Sequence, residues 1–442
     1  MIDYSRNWAL NQEMIGKGSA TIVGCGALAN YICFYMAGLG LRNIRVIDDS
    51  IGYEREEFLL REKGKFKVLG MEDKIMAIND GMRIEAVPLQ ADGYLMGCPD
   101  VLLDLSNSPR TKDICLDHFY AAENIRLFVS ASSSGTSSSA IFKRDKTKAA
   151  RAMPRQCLEE FASLRQGGYP SGLMSAVILD EIRKVVSPLE GDSNYAGRIN
   201  YGASLERRFS AKEIPLYSMV DNRKKVLICG AGGIGTYVAL NLALEGVEID
   251  VYDGDIIEGH NVARQLLYYG SIGEKKADVL ESRLKHIVPE AKITARGSHI
   301  TERTLRGLPE YDAIVCCADN WEARRLLNRH AMETSTMMIN AAVTPFNAIA
   351  EAYIPLTNSC MGCRYDFDRL AGLRPQGCAE VSESNVVMTN AFIGALVAGE
   401  IVSRSTFLEK RFEYSSKSGN KRKFNILENK SRGETRCRCQ ER

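Results

Sequence analysis

The 442-residue sequence has almost no net charge, few histidines and no apolar leader. Its 57 basic and 55 acidic side chains leave a formal charge of +2, which excludes a chain-wide electrostatic nucleic-acid binder. The five histidines show no paired metal spacing, and none stands out as catalytic. Thirteen cysteines are too sparse for a disulfide scaffold and odd in number, so reduced thiols in the cytoplasm, some on metal, are expected. The N-terminus, Met1 to Arg6, opens with an acid and lacks an apolar segment before a small-residue cleavage site, so it does not read as a signal peptide. The charge-free stretch from Ala20 to Leu41 is long enough for a bilayer. Gly24, Gly26, Asn30, Gly38 and Gly40 divide it into an apolar run, a turn and a second apolar run, the pattern of a buried strand, a tight turn and a buried helix. No membrane association is expected. Hydrophobic residues at 45% and charged residues at 25% fit a soluble globular chain of about three domains, or two large ones.

What the sequence does have is an internal repeat. Thr21-Ile-Val-Gly-Cys-Gly-Ala-Leu-Ala29 aligns with Leu227-Ile-Cys-Gly-Ala-Gly-Gly-Ile-Gly235. Each segment leads through an apolar helical stretch to a second strand ending in an acid, Asp48 or Asp253. Arg55 and Arg264 each lie nine residues before a glycine, Gly64 or Gly273, and Lys67 and Lys276 each follow that glycine by three. Asp100 to Asn107 pairs with Asp312 to Asp319, and the run around Glu181 with the run around Glu400. Strands alternating with helical patterns argue for parallel-sheet βαβ units. The expected fold is α/β, with two tandem Rossmann-like halves of mainly parallel sheet: residues 1–215 and 216–442, with a polar boundary stretch at 205–222. The first half reads as a degenerate copy. It has Ala29 in place of Gly235, Asn107 in place of Asp319 and Gly52 in place of Asn261.

In the second half, Gly230-x-Gly232-Gly233-x-Gly235 lies between a strand and a helix, where backbone N–H groups can approach phosphate oxygens. Asp253, 18 residues after Gly235, stands where nicotinamide-dependent enzymes place a ribose-binding acid. The polar cluster Asp253-x-Asp255-x-x-Glu258-x-x-Asn261-x-x-Arg264-Gln265 exceeds the needs of a dehydrogenase. Asn261, Arg264 and Lys276 would supply donors to a polyphosphate, and Asp319, at another strand end, could hold Mg²⁺. Two cations and a metal around one nucleotide suit ATP chemistry, in which charge on leaving pyrophosphate must be neutralised.

These motifs, with Lys276, Ala318-Asp319-Asn320, Cys360-x-x-Cys363 and Cys378-Ala-Glu380, resemble the ThiF/MoeB/HesA superfamily, adenylyltransferases related to ubiquitin-activating enzymes. The resemblance covers nearly all of 223–442. The first half resembles the family more weakly, through Tyr4-Ser-Arg-Asn7, where Asn7 departs from the usual glutamine. It implies that Gly230, Gly232, Gly233, Gly235, Asp253, Asp255, Asn261, Arg264, Gln265, Lys276, Asp319 and Asn320 bind ATP. It also implies that Arg6 from the silent half reaches the nucleotide of the other.

Cys360-x-x-Cys363 is half of a zinc site by spacing, and Cys437-x-Cys439 is the candidate second half, giving structural Zn²⁺ on four thiolates. The site would pin the basic tail, 409–442, to the domain; its one-residue second spacer departs from the family's Cys-x-x-Cys. Cys378 occupies the place of a cysteine that some members bond covalently to the activated carboxylate, with Arg374 nearby to lower its pKa. Cys229, Cys316 and Cys317 fall on buried strand patterns and read as core.

The implied reaction is attack of a carboxylate on the α-phosphate of ATP, with Arg6, Asn261, Arg264, Lys276 and Asp319 around the phosphates. The implied partner is a peptide or small protein, and a homodimer is possible. Family members that mature ribosomal peptides, such as the microcin C and pantocin A enzymes, activate such carboxylates, and a precursor peptide is the expected substrate. About 20 residues separate Cys363 from the helix expected at 385–402, too few for the cysteine domain of a conjugation enzyme. Neither a C-terminal ubiquitin-like domain nor a winged-helix module before Tyr4 is expected. Activation of a ubiquitin-like or sulfur-carrier C-terminus is the close alternative. An NAD-dependent oxidoreductase and a non-catalytic scaffold stand further off.

Overall fold

The computed structural model describes residues 2–52, 64–134, 137–146, 168–202, 209–210, 223–354, 360–365, 367, 370, 385–403, 410–417 and 423–428. The chain divides into two compact units: Met1–Met219 with Ser416–Arg422, and Val220–Ser415 with Lys423–Arg442.

In the first unit the strands are β1 (Ser19–Val23), β2 (Asn43–Ile47), β3 (Arg83–Val87), β4 (Val101–Asp104), β5 (Leu127–Ser134), β6 (Ser137–Lys143), β7 (Gly197–Gly202) and β8 (Phe209–Ser210). Its helices are α1 (Gln12–Lys17), α2 (Ala27–Leu39), α3 (Lys67–Ile78), α4 (Gly93–Met96), α5 (Pro109–Ala121) and α6 (Gly168–Val186). The second unit follows the same plan. Its strands are β9 (Lys225–Cys229), β10 (Glu248–Tyr252), β11 (Ile293–Arg296), β12 (Ala313–Cys316), β13 (Met337–Val343), β14 (Asn347–Tyr353), β15 (Lys410–Ser415) and β16 (Phe424–Glu428). Its helices are α7 (Gly233–Leu244), α8 (Lys276–Ile287), α9 (Glu302–Leu305), α10 (Trp321–Glu333), α11 (Met361–Arg364) and α12 (Val387–Val402).

Each unit builds one eight-stranded sheet, in the orders β3-β2-β1-β4-β5-β6-β7-β8 and β11-β10-β9-β12-β13-β14-β15-β16. The first five strands of each order pair in parallel and the remaining pairings are antiparallel. The expected parallel Rossmann-like core is present twice. The antiparallel extension is an addition that the repeat alone does not disclose. In both sheets the order reverses beside the first strand, opening the crevice at strand C-terminal ends where such folds bind ligands.

The charge-free stretch at Ala20 explains itself in this fold. All of α2 beyond Ala27 is buried, and the helix stops at Gly40, whose φ of +90° is the left-handed cap conformation. No helix among the described residues is long and apolar enough to cross a membrane. The matching long helices of the two cores differ in kind. Helix α12 has Glu400 as its one charged residue, whereas α6 buries Asp180, Glu181, Arg183 and Lys184. Those charges are paired: Lys184 with Glu181 at 2.8 Å, Arg183 with Asp180 at 3.3 Å, and Arg144 with Glu181 at 2.9 Å.

Candidate functional site

The site begins at the turn between β9 and α7. Gly230 has φ +98°, and a Cβ there would meet the Cys317 carbonyl oxygen at 2.9 Å, so the turn lies directly against the end of β12. Asp253, one residue past β10, braces it: Oδ2 accepts the Ala231 N–H at 2.6 Å and Oδ1 the Asp255 N–H at 2.8 Å. Burial raises this carboxyl above its ordinary range, with Lys276 pulling the other way. Two further groups hold the turn: Tyr268 Oη donates to Ala231 O at 2.6 Å, and Thr236 Oγ1 to Gly232 O at 2.6 Å. Sequence reading passed over both. A hydroxyl one residue after Gly235, on the first turn of an apolar helix, is the signal that was available for Thr236.

Lys276 opens α8, where its Nζ pairs with Asp255 Oδ2 at 2.8 Å and its N–H bonds to Asp255 O at 3.0 Å. Between Asp255 and Lys276 the chain makes two short 3₁₀ turns, Gly259–Asn261 and Leu266–Tyr268. Asn261 caps the first: its Oδ1 accepts the Glu258 N–H at 3.1 Å, and its carbonyl accepts the Arg264 and Gln265 N–H groups. Arg264 is buried and donates from Nη1 to His260 O at 2.7 Å. Gln265 is buried with Oε1 unpaired among the described residues, an acceptor that a bound ligand's donor could satisfy.

Asp319 is exposed just before α10, whose N-cap is Asn320; the Asn320 Oδ1 accepts from Ala323 N at 2.8 Å. The Cys317 N–H bonds to Cys229 O at 2.9 Å and fastens this strand end beside the glycine turn. The fold therefore gathers Gly230, Gly232, Gly233, Gly235, Asp253, Asp255, Lys276, Asp319 and Asn320 at the C-terminal ends of β9, β10 and β12, with Asn261, Arg264 and Gln265 in the connection from Asp255 to Lys276. Burial pushes the thiols of Cys229, Cys316 and Cys317 upward, which makes them poor nucleophiles. Cys317 lies one residue beyond its strand and is half-buried, a departure from the fully buried position expected.

A residue absent from the sequence reading presses on the turn from α12. Asn390 is buried, and its Oδ1 lies 2.3 Å from where a Cβ on Gly233 would stand. That oxygen has no hydrogen-bond partner among the described residues, while Nδ2 donates to Val386 O at 2.7 Å. The repeat equivalents are Ala27 and Ser171, so the first half carries a side chain at the glycine's position and a smaller residue at the asparagine's.

Cys360 and Cys363 bring their Sγ atoms to 3.8 Å, a separation that two ligands of one tetrahedral ion can adopt. Cys378, Cys437, Cys439 and Arg374 lie outside the described residues, as does Arg55. Among the described residues no group of three or more metal-ligating side chains occurs. Arg6 sits in the 3₁₀ turn Ser5–Asn7 of the first unit.

A profile of the ThiF family matches residues 220–441, half of the chain. The chain belongs to the ThiF family. The sulfur carrier protein adenylyltransferase of Thermus thermophilus is 32% identical over 186 residues, which cover 40% of this chain and 68% of that protein. The NEDD8-activating enzyme E1 catalytic subunit of Schizosaccharomyces pombe is 32% identical over 149 residues, 32% of this chain and 34% of that one. The chain thus spans about a third of the length of that NEDD8-activating subunit. Among solved structures, E. coli MccB with ATP aligns at 25% identity and a TM-score of 0.40, covering 47% of this chain and 64% of that chain.

Proposed function

We propose that this ThiF-family chain is an ATP-dependent adenylyltransferase acting on a carboxylate of a peptide or small protein. The observation that carries this reading is the union, at one crevice, of a braced glycine turn with Asp253, Asp255 and Lys276. The turn and the α7 N-terminus would receive phosphate oxygens, and Asp253 the ribose. Lys276 would exchange Asp255 for phosphate, with Asn261 and Arg264 close in the chain to share the charge. The substrate carboxylate oxygen bonds to the α-phosphorus, the bond from that phosphorus to the bridging oxygen breaks, and pyrophosphate leaves with the electron pair. The acyl-adenylate then presents AMP as leaving group to an amine, thiol or other nucleophile.

Asp319, an exposed carboxylate at a strand end, is the proposed ligand for Mg²⁺, which when bound supplies charge neutralisation on the phosphates. Cys360 and Cys363, with Cys437 and Cys439, are the proposed ligands of a structural Zn²⁺. Arg6 is proposed to serve the same phosphates and Cys378 to take up the activated acyl group.

The substrate class we favour is a ribosomal precursor peptide, because the interval between Cys363 and α12 leaves no room there for a separate cysteine domain. The second reading is a sulfur-carrier C-terminus, favoured by the 32% identity with the Thermus thermophilus protein. Both are tested by ATP–pyrophosphate exchange with full-length protein and candidate peptides or carriers, with NAD binding measured in parallel. Peptide-stimulated exchange is expected. NAD binding without exchange would make the chain an oxidoreductase, and no nucleotide binding would leave a scaffold.

A further inference from the structure

We propose that the first half carries a second ligand site, for a small planar carboxylate, on the sheet face beside the turn that follows α4. This site is independent of the nucleotide reading, and neither outcome below bears on adenylation.

In the other half a tyrosine ring closes the same face. There Tyr311, two residues before β12, lays its ring over β9 and β10: its Oη donates to Asp250 Oδ2 at 2.6 Å and Lys225 Nζ lies 5.7 Å from the ring centroid. Tyr311 is buried and packs with Leu227, Tyr252 and Leu305. By the register of the repeat, Pro99 stands for Tyr311, Thr21 for Leu227, Arg45 for Asp250 and Arg83 for Lys292. The proline's small pyrrolidine, closed on its own backbone, cannot reach across the strands. The face stays open as a cleft of about 350 Å³ lined by Thr21, Asn43, Arg45, Arg83, Glu85 and Cys98. That volume is at the lower end of small-molecule sites, roughly 300–1,000 Å³.

The cleft has a built wall and a charge preference. Arg45 is fixed: Nη1 donates to Leu95 O at 2.8 Å and Nε to Glu85 Oε2 at 2.8 Å. The turn is fixed against it, because Gly97 has φ +61°, its carbonyl bonds to His118 Nε2 at 2.6 Å, and a Cβ there would come within 3.1 Å of Arg45 Nη1. Thr21 Oγ1 is used by Met96 O at 3.0 Å. Arg83 is exposed, and its guanidinium has no side-chain partner among the described residues. One carboxylate, Glu85, faces two guanidiniums, so the cleft retains a positive charge and selects an anion. Arg83 presents the planar donor fork that binds a carboxylate with two hydrogen bonds. The vacant ring position sets the remainder of the ligand as flat and about one aromatic ring in size. Where the second half matches a phenol to Asp250, the first half matches an acid to arginine.

The test uses the full-length protein, benzoate as probe and benzyl alcohol as its neutral counterpart. Cys98, an exposed thiol on the cleft wall, is the reporter. Benzoate is expected to slow iodoacetamide alkylation of Cys98 several-fold, followed by peptide mass spectrometry, with Cys363 unchanged; Arg83→Gln should remove the protection. Pro99→Tyr combined with Arg45→Asp, which restores the pair found in the second half, should also remove benzoate dependence. Absence of protection in the wild type, equal protection by benzyl alcohol, or full protection surviving Arg83→Gln would each overturn the proposal. Because Arg83 is exposed, its variant decides the matter even if the double variant does not fold.

Discussion

The two halves hold their turns by the same brace yet differ in what surrounds it. In the first half the Asp48 carboxylate accepts the Cys25 and Ser50 N–H groups, each at 2.7 Å, as Asp253 accepts those of Ala231 and Asp255. Gly24 and Gly230 have φ of +96° and +98°, and each lies against the chain leaving β4 or β12. The backbone of the glycine turn is therefore the same in the copy that lacks counterparts of Gly233, Asn261 and Asp319. A further difference lies just below. Lys112 Nζ pairs with Asp104 Oδ2 at 3.0 Å, both side chains fully buried, and Ser130 Oγ donates to the same oxygen at 2.6 Å. At the equivalent positions Arg324 donates to Asn340, with Cys316 in place of Asp104. The first half has put a closed ion pair where the second keeps an arginine facing a neutral amide. The charged groups around the turn distinguish the halves, and its shape does not.

The hardest way to break that comparison is Lys112→Met. It strands Asp104 without a counter-charge and should destabilise the first half by about 3–5 kcal/mol. In urea unfolding of the full chain, the first half's transition should move alone. Arg324→Met, which leaves only an amide unpaired, should cost less; equal losses would refute the contrast. Next in size, Lys276→Ala should lower ATP–pyrophosphate exchange by about 10²–10³, the range for removing a donor to transition-state charge. Lys67→Ala, its repeat equivalent, should leave exchange at the wild-type rate. Arg6→Ala should reduce exchange as much as Lys276→Ala without altering the unfolding curve. Wild-type exchange in that variant would remove the first half from the chemistry.

Gly233→Ala, which installs the first half's residue, drives a Cβ into Asn390 and should cost about 1–3 kcal/mol by overpacking. Adding Asn390→Ser, the first half's companion, should recover stability, read by thermal unfolding, but not nucleotide binding. If binding returned with stability, the side chain of Ala27 would not be what separates the two turns. The smallest expected effect is at the helix caps. Asn320→Ala and Ser108→Ala each remove a side-chain cap, on α10 and α5, and should each cost about 1 kcal/mol. Only the former, beside Asp319, should also weaken ATP binding in a calorimetric titration.

The repeat, the glycine turns and the strand-end acids were legible because they depend on short spacings: a strand, a turn and a helix occupy consecutive residues, so their pattern survives in one dimension. Tyr268 and Asn390 were not. Each reaches the turn from an element far along the chain, and a tyrosine or asparagine in an apolar stretch carries no local mark of its partner. Lys112 is a different case: its spacing to Cys115, Leu116 and Phe119 puts it on the buried face of α5, and Asp104 and Ser130, brought in by neighbouring strands, make that burial tolerable. The cleft at Pro99 could not be read either, since an opening is defined by a ring that is missing, and its meaning appears only beside Tyr311.

Ser416 bonds to Asp180 and Arg183, the latter at 3.2 Å across a sequence separation of 233 residues, and the segment Ser416–Arg422 belongs to the first unit. On a ribosome adding about 5–20 residues per second, α6 must wait roughly 10–50 s for that hydroxyl. The halves are sequential in their motifs but interleaved in their completion. Residues 1–219 expressed alone would carry two buried charges short of a partner, so the unit that looks separable by alignment is not separable by synthesis.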